Sequence, residues 1–405
     1  MTVRANKPAF NVREKLKELE RPIGIAGNQI LKSDSAQDVR SYLGAGRKNL
    51  VINGAMRFNQ RYGGSSTVPT DQYVLDRFKF KENCGGSASI NRDQFPIGDN
   101  HPDGHRYAMQ VACAATDTSL SGNEHSVIMH MIEGYNCIGT GFGTGEAKNV
   151  TLSFWVKTNC QGTYSVALKN SAQNKCMVKE YTAGKYGYNW QKITITFPGC
   201  TDGTWLYNNG IGMKLEFGLA GAQASSYTTS EFGIWKSSNL FLSPNQVNFF
   251  QSTNNRFFIT GIQLEIGDEA TDFEHLTYPD ELALCQRYYE KSFQIDTEPS
   301  HGSDTSSFST TSGVCEGPAQ HRAYMPGNTY HRRNTFLRFQ VRKRTDPSVT
   351  QYGNSNGRPW GYNGTGWITG SWGSSANENG FEWVNEAVAS STLHIQTHWT
   401  ADAEL

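Results

Sequence analysis

Along residues 150–157 apolar and polar side chains alternate: Val150, Leu152, Phe154 and Val156 fall on one side of an extended chain, Thr151, Ser153, Trp155 and Lys157 on the other. The same period of two recurs through Ile193, Ile195 and Phe197, through Met213, Leu215, Phe217 and Leu219, and through Ile262, Leu264 and Ile266. Half-buried strands of this kind, separated by glycine-rich turns, predict a mainly β protein built as an antiparallel β-sandwich.

The first 48 residues follow a different period. Asn11 and Glu14 make a capping-box-like start, Val12, Leu16 and Leu19 repeat at helical spacing, and Pro22 ends the run. A second short helix is expected near Ser35, with Val39, Tyr42 and Leu43 on one face and Gly44 as its C-terminal cap. Two helices this short cannot build a core alone, so the segment is expected to dock on something larger, another subunit included.

One helical stretch interrupts the later strands: Glu281–Phe293, ELALCQRYYEKSF. Pro279 precedes it and Asp280 is the expected cap, while Leu282, Cys285 and Tyr289 form a stripe with Leu284 and Tyr288 beside it. So wide an apolar face needs cover. The stretch is therefore read as a junction helix, packed on the sandwich or on its symmetry mates, with Cys285 a buried thiol and not a nucleophile. After it comes a polar, Ser/Thr-rich stretch, and then period two resumes at Leu337, Phe339 and Val341 and again at Leu393, Ile395, Thr397 and Trp399. The expected division is a helical segment over 1–48, a sandwich body over 49–280, the junction helix over 281–293, a linker over 294–309 and a smaller C-terminal β-domain over 310–405.

Composition narrows the classes of partner. Among 405 residues, 37 Lys and Arg balance 37 Asp and Glu, so no net field favours nucleic acid or an anionic membrane. No apolar run approaches the roughly 18 residues of a membrane span, and the N-terminus has no signal-peptide-type core, so folding in a cytosol and no membrane insertion are expected. The 41 glycines and the 18 Tyr, 21 Phe and 9 Trp suit short strands and tight turns. Eight cysteines without a C-x-x-C pair read as small buried hydrophobes.

Few groups suggest chemistry. Gly139–Glu146, GTGFGTGE, lacks the phosphate-loop lysine and runs into a strand, so it reads as a surface loop. His394 and His398 lie on a period-two stretch, which puts them on the polar face of a strand instead of together on a helix. His101 and His105 flank a proline-glycine turn and could bind a metal, but solvated histidines at such a turn explain the pattern as well. Glycosidase-type pairs could be drawn from Glu216, Glu231, Glu265 or Glu274, as from any chain with this many acids. No metal and no cofactor is expected. The basic residues from His331 through Arg344 read first as the solvated face of a strand. The candidate ligand surface is RPWGYNGTGWITGSW, where Trp360, Tyr362, Trp367 and Trp372 could stack on sugar rings while Asn363 and neighbouring hydroxyls take hydrogen bonds. Core packing of the same aromatics is an equal alternative.

Two blocks, NLVINGAMRFNQR (Asn49–Arg61) with YVLDRF (Tyr73–Phe78), and GIQLEIGDEATDFEHLTYPDELALCQRYYEKSF (Gly261–Phe293), together resemble the receptor-binding-type module of tailed-bacteriophage tail fibres and appendages. FNVREKLKELERPIGIAGNQIL is similar to leaders of marine podovirus structural proteins, and WTADAEL resembles the closing strand of a tail-fibre tip module. The resemblance implies a jelly-roll sandwich shaped like a carbohydrate-binding module, assembled as a homotrimer on the virion. Arg57 stands where such modules place a calcium-binding acid, which speaks against that ion here. The expected role is a non-enzymatic virion structural protein, assembled in the host bacterial cytoplasm. Its N-terminal segment would meet other virion proteins through Val12, Leu16 and Leu19, and its tip a host cell-surface polysaccharide or protein. The alternatives are a decoration or connector protein without receptor binding, and a polysaccharide depolymerase.

Overall fold

A computed structural model describes residues 47–63, 71–95, 102–185, 187–300, 320–324, 331–352, 360–362, 367–369, 372–387, 392–396 and 398–405. The chain divides into two compact units, Met1–Lys48 and Asn49–Leu405. The two N-terminal helices expected from the sequence, with Val12, Leu16 and Leu19, lie outside the described residues.

The second unit is mainly β. Its first strands in chain order are β1 (Gln72–Leu75), β2 (Phe78–Asn83), β3 (Ser87–Gln94), β4 (Tyr107–Ala115), β5 (His125–Glu133), β6 (Val150–Thr158), β7 (Gly162–Asn170), β8 (Cys176–Ala183), β9 (Gln191–Phe197), β10 (Ile211–Gly221) and β11 (Arg256–Ile266). They form a six-stranded sheet, β1-β2-β5-β10-β7-β8, and a five-stranded sheet, β3-β4-β11-β6-β9, with every pair antiparallel. One hydrophobic core joins the two sheets. Val150, Leu152, Phe154 and Val156 all point into it from β6, and Met213, Leu215, Phe217 and Leu219 from β10. Phe154 meets Phe217 edge-on across the interface, with ring centres 5.2 Å apart. Burying each such side chain contributes about 1.5–3 kcal/mol. The alternation read from the sequence in β6 and β10 is thus the alternation of the fold, whereas in β11 Ile262 and Leu264 fill the core but Ile266 is exposed; the sandwich forms because each sheet has one apolar face to cover.

The GTGFGTGE segment is a loop pinned by Phe142, which is buried edge-on against Trp205 and Trp235. Seven described cysteines are free thiols; Cys84 and Cys160 are half-buried and the others buried. Among the described residues no helix is long and apolar enough to cross a membrane.

The helix differs from its expected bounds. It runs Tyr278–Gln286 (α1), and its cap is Thr277, whose hydroxyl accepts a hydrogen bond from the Asp280 amide. Pro279 is tolerated in the first turn, where an amide hydrogen has no helical acceptor. Tyr288 and Tyr289 have left the helix, because Tyr289–Lys291 forms strand β12 and pairs with a strand near the far end of the chain.

The remaining strands are β13 (Gln320–Tyr324), β14 (His331–Arg338), β15 (Ser348–Tyr352), β16 (Trp360–Tyr362), β17 (Trp367–Thr369), β18 (Trp372–Asn377), β19 (Gly380–Ala387), β20 (Thr392–Gln396) and β21 (His398–Asp402). They make three small sheets, β12-β21-β15, β13-β20-β16-β17 and β14-β19-β18. The stretch read as one strand through Leu393 and Trp399 is therefore two strands in different sheets. The stretch through Leu337 and Val341 is also cut short. β14 stops at Arg338 because the amides of Gln340 and Val341 donate to the carboxylate of Glu290, at 2.9 and 3.4 Å. Glu290 is itself buried against Lys343. Lys343 is thus an internal ion-pair partner and not part of a solvated basic face. Two histidines are corrected in the same way. His398 is buried, stacked on Phe293 with ring centres 4.3 Å apart and bonded to Ser292, while His105 is buried beside Phe273.

The chain closes on the sandwich through charge. Arg77, 1% exposed, pairs with Glu404 and donates to the Met131 carbonyl, while Arg61 pairs with Asp402 at 2.8 Å and Glu404 at 3.3 Å. Tyr73 donates to the Leu405 carbonyl at 2.8 Å. Burial pushes the Glu404 carboxyl above its ordinary range, and the two guanidinium groups oppose that push.

Candidate functional site

The outward face of the five-stranded sheet carries a cluster of aromatic, amide and charged side chains. Cross-strand register sets one row of side chains: Asn91 opposite Gln110, Gln110 opposite Phe258, Phe258 opposite Lys157. The adjacent row places Thr260 opposite Trp155 and Trp155 opposite Lys192. These residues point outward because their neighbours in sequence, Phe154, Val156, Phe257 and Ile259, fill the core.

The stretch between β8 and β9 brings Tyr188 and Trp190 to this face, and Phe95 comes from the end of β3. Phe95 meets Trp190 edge-on at 5.6 Å, and Phe258 meets Tyr188 at 5.9 Å and Trp190 at 6.3 Å. The Lys157 ammonium sits among all four, 4.6 Å from the Tyr188 ring centre, 4.8 Å from Phe258, 5.6 Å from Trp190 and 6.0 Å from Phe95. A cation this close to ring faces is held by their quadrupoles, at about 0.5–1 kcal/mol or more per favourable pair. Phe95 and Phe258 are buried; Tyr188 is 46% exposed and presents its ring to solvent.

Burial raises the Asp93 carboxyl above its ordinary range, with Lys157 acting against the rise. Burial also raises the Tyr188 phenol, opposed by Arg256. The face therefore offers flat apolar rings with Lys157 among them, amides, Lys192 beside Trp155, and carboxylates at Asp93 and, buried, at Glu265. Rings give a stacking surface for the C–H faces of a sugar, and the amides and charges can bond its hydroxyls. A glycosidase would need a second carboxylate across the scissile bond. Glu265, on the same face of β11 opposite Thr151, is buried and accepts hydrogen bonds from Gln263 and from the amide and hydroxyl of Thr271.

Gly261 shapes the middle of this face. β11 carries an extra residue between Thr260 and Gln263 relative to β6, and Gly261 takes φ 61° within that bulge. A β-carbon there would lie 2.6 Å from Nε2 of His105 and 3.1 Å from Cδ1 of Trp155.

The residues expected to bind ligand lie elsewhere. Trp360 and Tyr362 bound β16, where Tyr362 pairs with Trp367 of β17, and Trp372, the first residue of β18, pairs with Asn385 of β19. Their side chains and Asn363 lie outside the described residues. Of the junction residues, Cys285 and Tyr288 are buried with Ile52 and Phe58 of the body, and Leu282 packs against them half-buried. Tyr289 carries the Arg61 guanidinium 3.9 Å over its ring. Among the described residues no group of three or more His, Cys, Asp or Glu is placed to hold a metal ion; Arg57 pairs with Glu281 at 3.4 Å.

Sequence reasoning passed over the platform. Its signal was a tryptophan and a lysine on the polar side of β6, followed downstream by the aromatic run Tyr186, Tyr188 and Trp190.

No family model matches the chain, and no curated protein matches it. Solved structures similar to it include the enzymatically active domain of bacteriophage CBA120 tailspike protein 4, at 9% identity and a TM-score of 0.30, covering 54% of this chain and 21% of that one. A putative sugar binding protein from Bacteroides thetaiotaomicron aligns at 12% identity and a TM-score of 0.27, covering 54% of this chain and all of that one (100%). The family 11 carbohydrate-binding module of a Clostridium thermocellum cellulosomal cellulase aligns at 12% identity and a TM-score of 0.26, covering 51% of this chain and 98% of the module.

Proposed function

We propose that this chain is a structural protein of a tailed-bacteriophage particle, a tail fibre or comparable appendage, and that it attaches to glycan on the host surface. The observation that carries the binding part is the outward cluster of Tyr188 and Trp190 over the buried Phe258, gathered around Lys157 and flanked by Asn91 and Gln110. Stacking faces beside hydrogen-bonding groups are what a sugar-binding surface requires. The two sequence blocks that resemble appendage modules support the placement on a virion. In this reading residues 1–48 anchor the chain to other virion proteins, the protein assembles as a homotrimer, and it binds without catalysing.

Binding of the purified chain to the polysaccharide of a susceptible bacterium tests the proposal. The double variant Tyr188→Ala, Trp190→Ala should bind at least tenfold more weakly, since anchor aromatics cost more than about 1 kcal/mol each when truncated. Undiminished binding by a folded double variant would overturn the assignment of the face. Release of reducing sugar by the unmodified chain would replace attachment with depolymerisation.

A further inference from the structure

A second recess lies away from that face. One side of the β12-β21-β15 sheet forms its floor: Tyr289 of β12 is opposite Asp402 of β21, which is opposite Ser348 of β15, and the next row pairs Thr400 with Thr350. The other side of the same strands is spoken for, because Trp399 and Ala401 pack with Phe339 and Phe381 in a separate small core. Residues of the body, Arg61 and Tyr62 among them, and the segment at Glu298 make the walls, enclosing about 710 Å³. That volume is within the range of small-ligand sites, roughly 300–1,000 Å³.

The lining chooses the ligand class. Four carboxylates, Glu298, Asp346, Asp402 and Glu404, line the recess with one guanidinium, Arg61, and buried Arg77 also pairs with Glu404. The Arg61 guanidinium is already paired with Asp402 and Glu404 and covered by the Tyr289 ring. An incoming anion would meet committed cations and be repelled by the further carboxylates of Glu298 and Asp346; an incoming amine would be attracted by them. Hydroxyls of Ser348, Thr350 and Thr400 add donors and acceptors along the floor, and the exposed positions of Ser348 and Thr350 keep it open to solvent.

We infer that this recess is a second binding site, and that it takes a short chain of amino sugars, hydroxyl-bearing and cationic. The inference deepens the glycan-attachment reading with a site and a ligand class of its own. Glucosamine trisaccharide and galacturonate trisaccharide, titrated calorimetrically into the full chain, test it. The glucosamine probe should bind, Thr350→Trp should weaken it at least tenfold by filling the floor, and the binding component lost in that variant should still be present when the platform is removed by Tyr188→Ala with Trp190→Ala. Ser348→Trp, also exposed, gives a second occluding variant should Thr350→Trp fold poorly, and matching thermal unfolding checks each. No binding of the glucosamine probe, an unchanged affinity in a folded occluding variant, or tighter binding of the galacturonate probe at this recess would each overturn the inference. Loss of bacterial polysaccharide binding only in the Tyr188/Trp190 variant would leave the attachment reading standing while the recess fell.

Discussion

The guanidinium of Arg77 sits 3.6 Å over the ring centre of Tyr288. It is buried there and ion-paired to Glu404, so three distant parts of the chain converge on one charge. Glu404→Gln leaves the buried Arg77 without its carboxylate, and Arg77→Leu leaves the covered Glu404 with Arg61 as its remaining cation. Glu404→Gln and Arg77→Leu should each destabilise the protein by about 3–5 kcal/mol in urea unfolding, whereas the apolar double variant Arg77→Leu, Glu404→Leu should recover much of that loss. Single variants within about 1 kcal/mol of the parent would mean that water reaches this charge.

His125 gives the stability a pH dependence. Burial lowers its pKa below the ordinary 6.5; the ring packs edge-on against Tyr227 and Phe241 at 5.4 and 5.2 Å. The unfolded chain therefore binds a proton more readily than the folded one. His125's contribution is complete above pH 6.5 and is lost as pH falls below it toward the depressed folded value. Urea unfolding across pH 5–8 should show stability dropping on the acid side, and His125→Gln should flatten that slope. An identical slope in the variant would locate the effect elsewhere.

Gly261→Ala should cost about 1–2 kcal/mol from the left-handed backbone alone, with a further loss from the contact its β-carbon makes with His105. Because Trp155 Cδ1 lies 3.1 Å from that same β-carbon position, tryptophan emission should shift as well. Gly145→Ala is the control, since a β-carbon there meets nothing within 4 Å. Its stability should stay within about 0.5 kcal/mol of the parent. Equal effects of the two substitutions would remove the bulge from the account of this face.

The sandwich could be read from the sequence wherever a strand buries one face and wets the other. Met213 through Leu219 and Val150 through Val156 are of this kind, and their period survives in the fold. Elements whose shape depends on a remote partner could not be read. Tyr289 is helical by local propensity and extended in fact, because Asp402 pairs with it across the chain. Lys343 reads as surface and is buried because Glu290 waits for it. The platform fails for the same reason: Phe95, Trp155, Tyr188 and Phe258 are scattered in sequence, and only strand register gathers them.

Arg77 and Glu404 are 327 residues apart in the chain. Loop closure over that span is entropically costly and slow relative to local pairing. Ribosomal synthesis at about 5–20 residues per second separates the appearance of the two groups by tens of seconds. A sandwich that formed within that interval would hold Arg77 without its carboxylate, beside Tyr73 and Met131. The strand that ends at Asp402 thus acts as a late clasp, and completion of the body is timed by the arrival of its most distant residues.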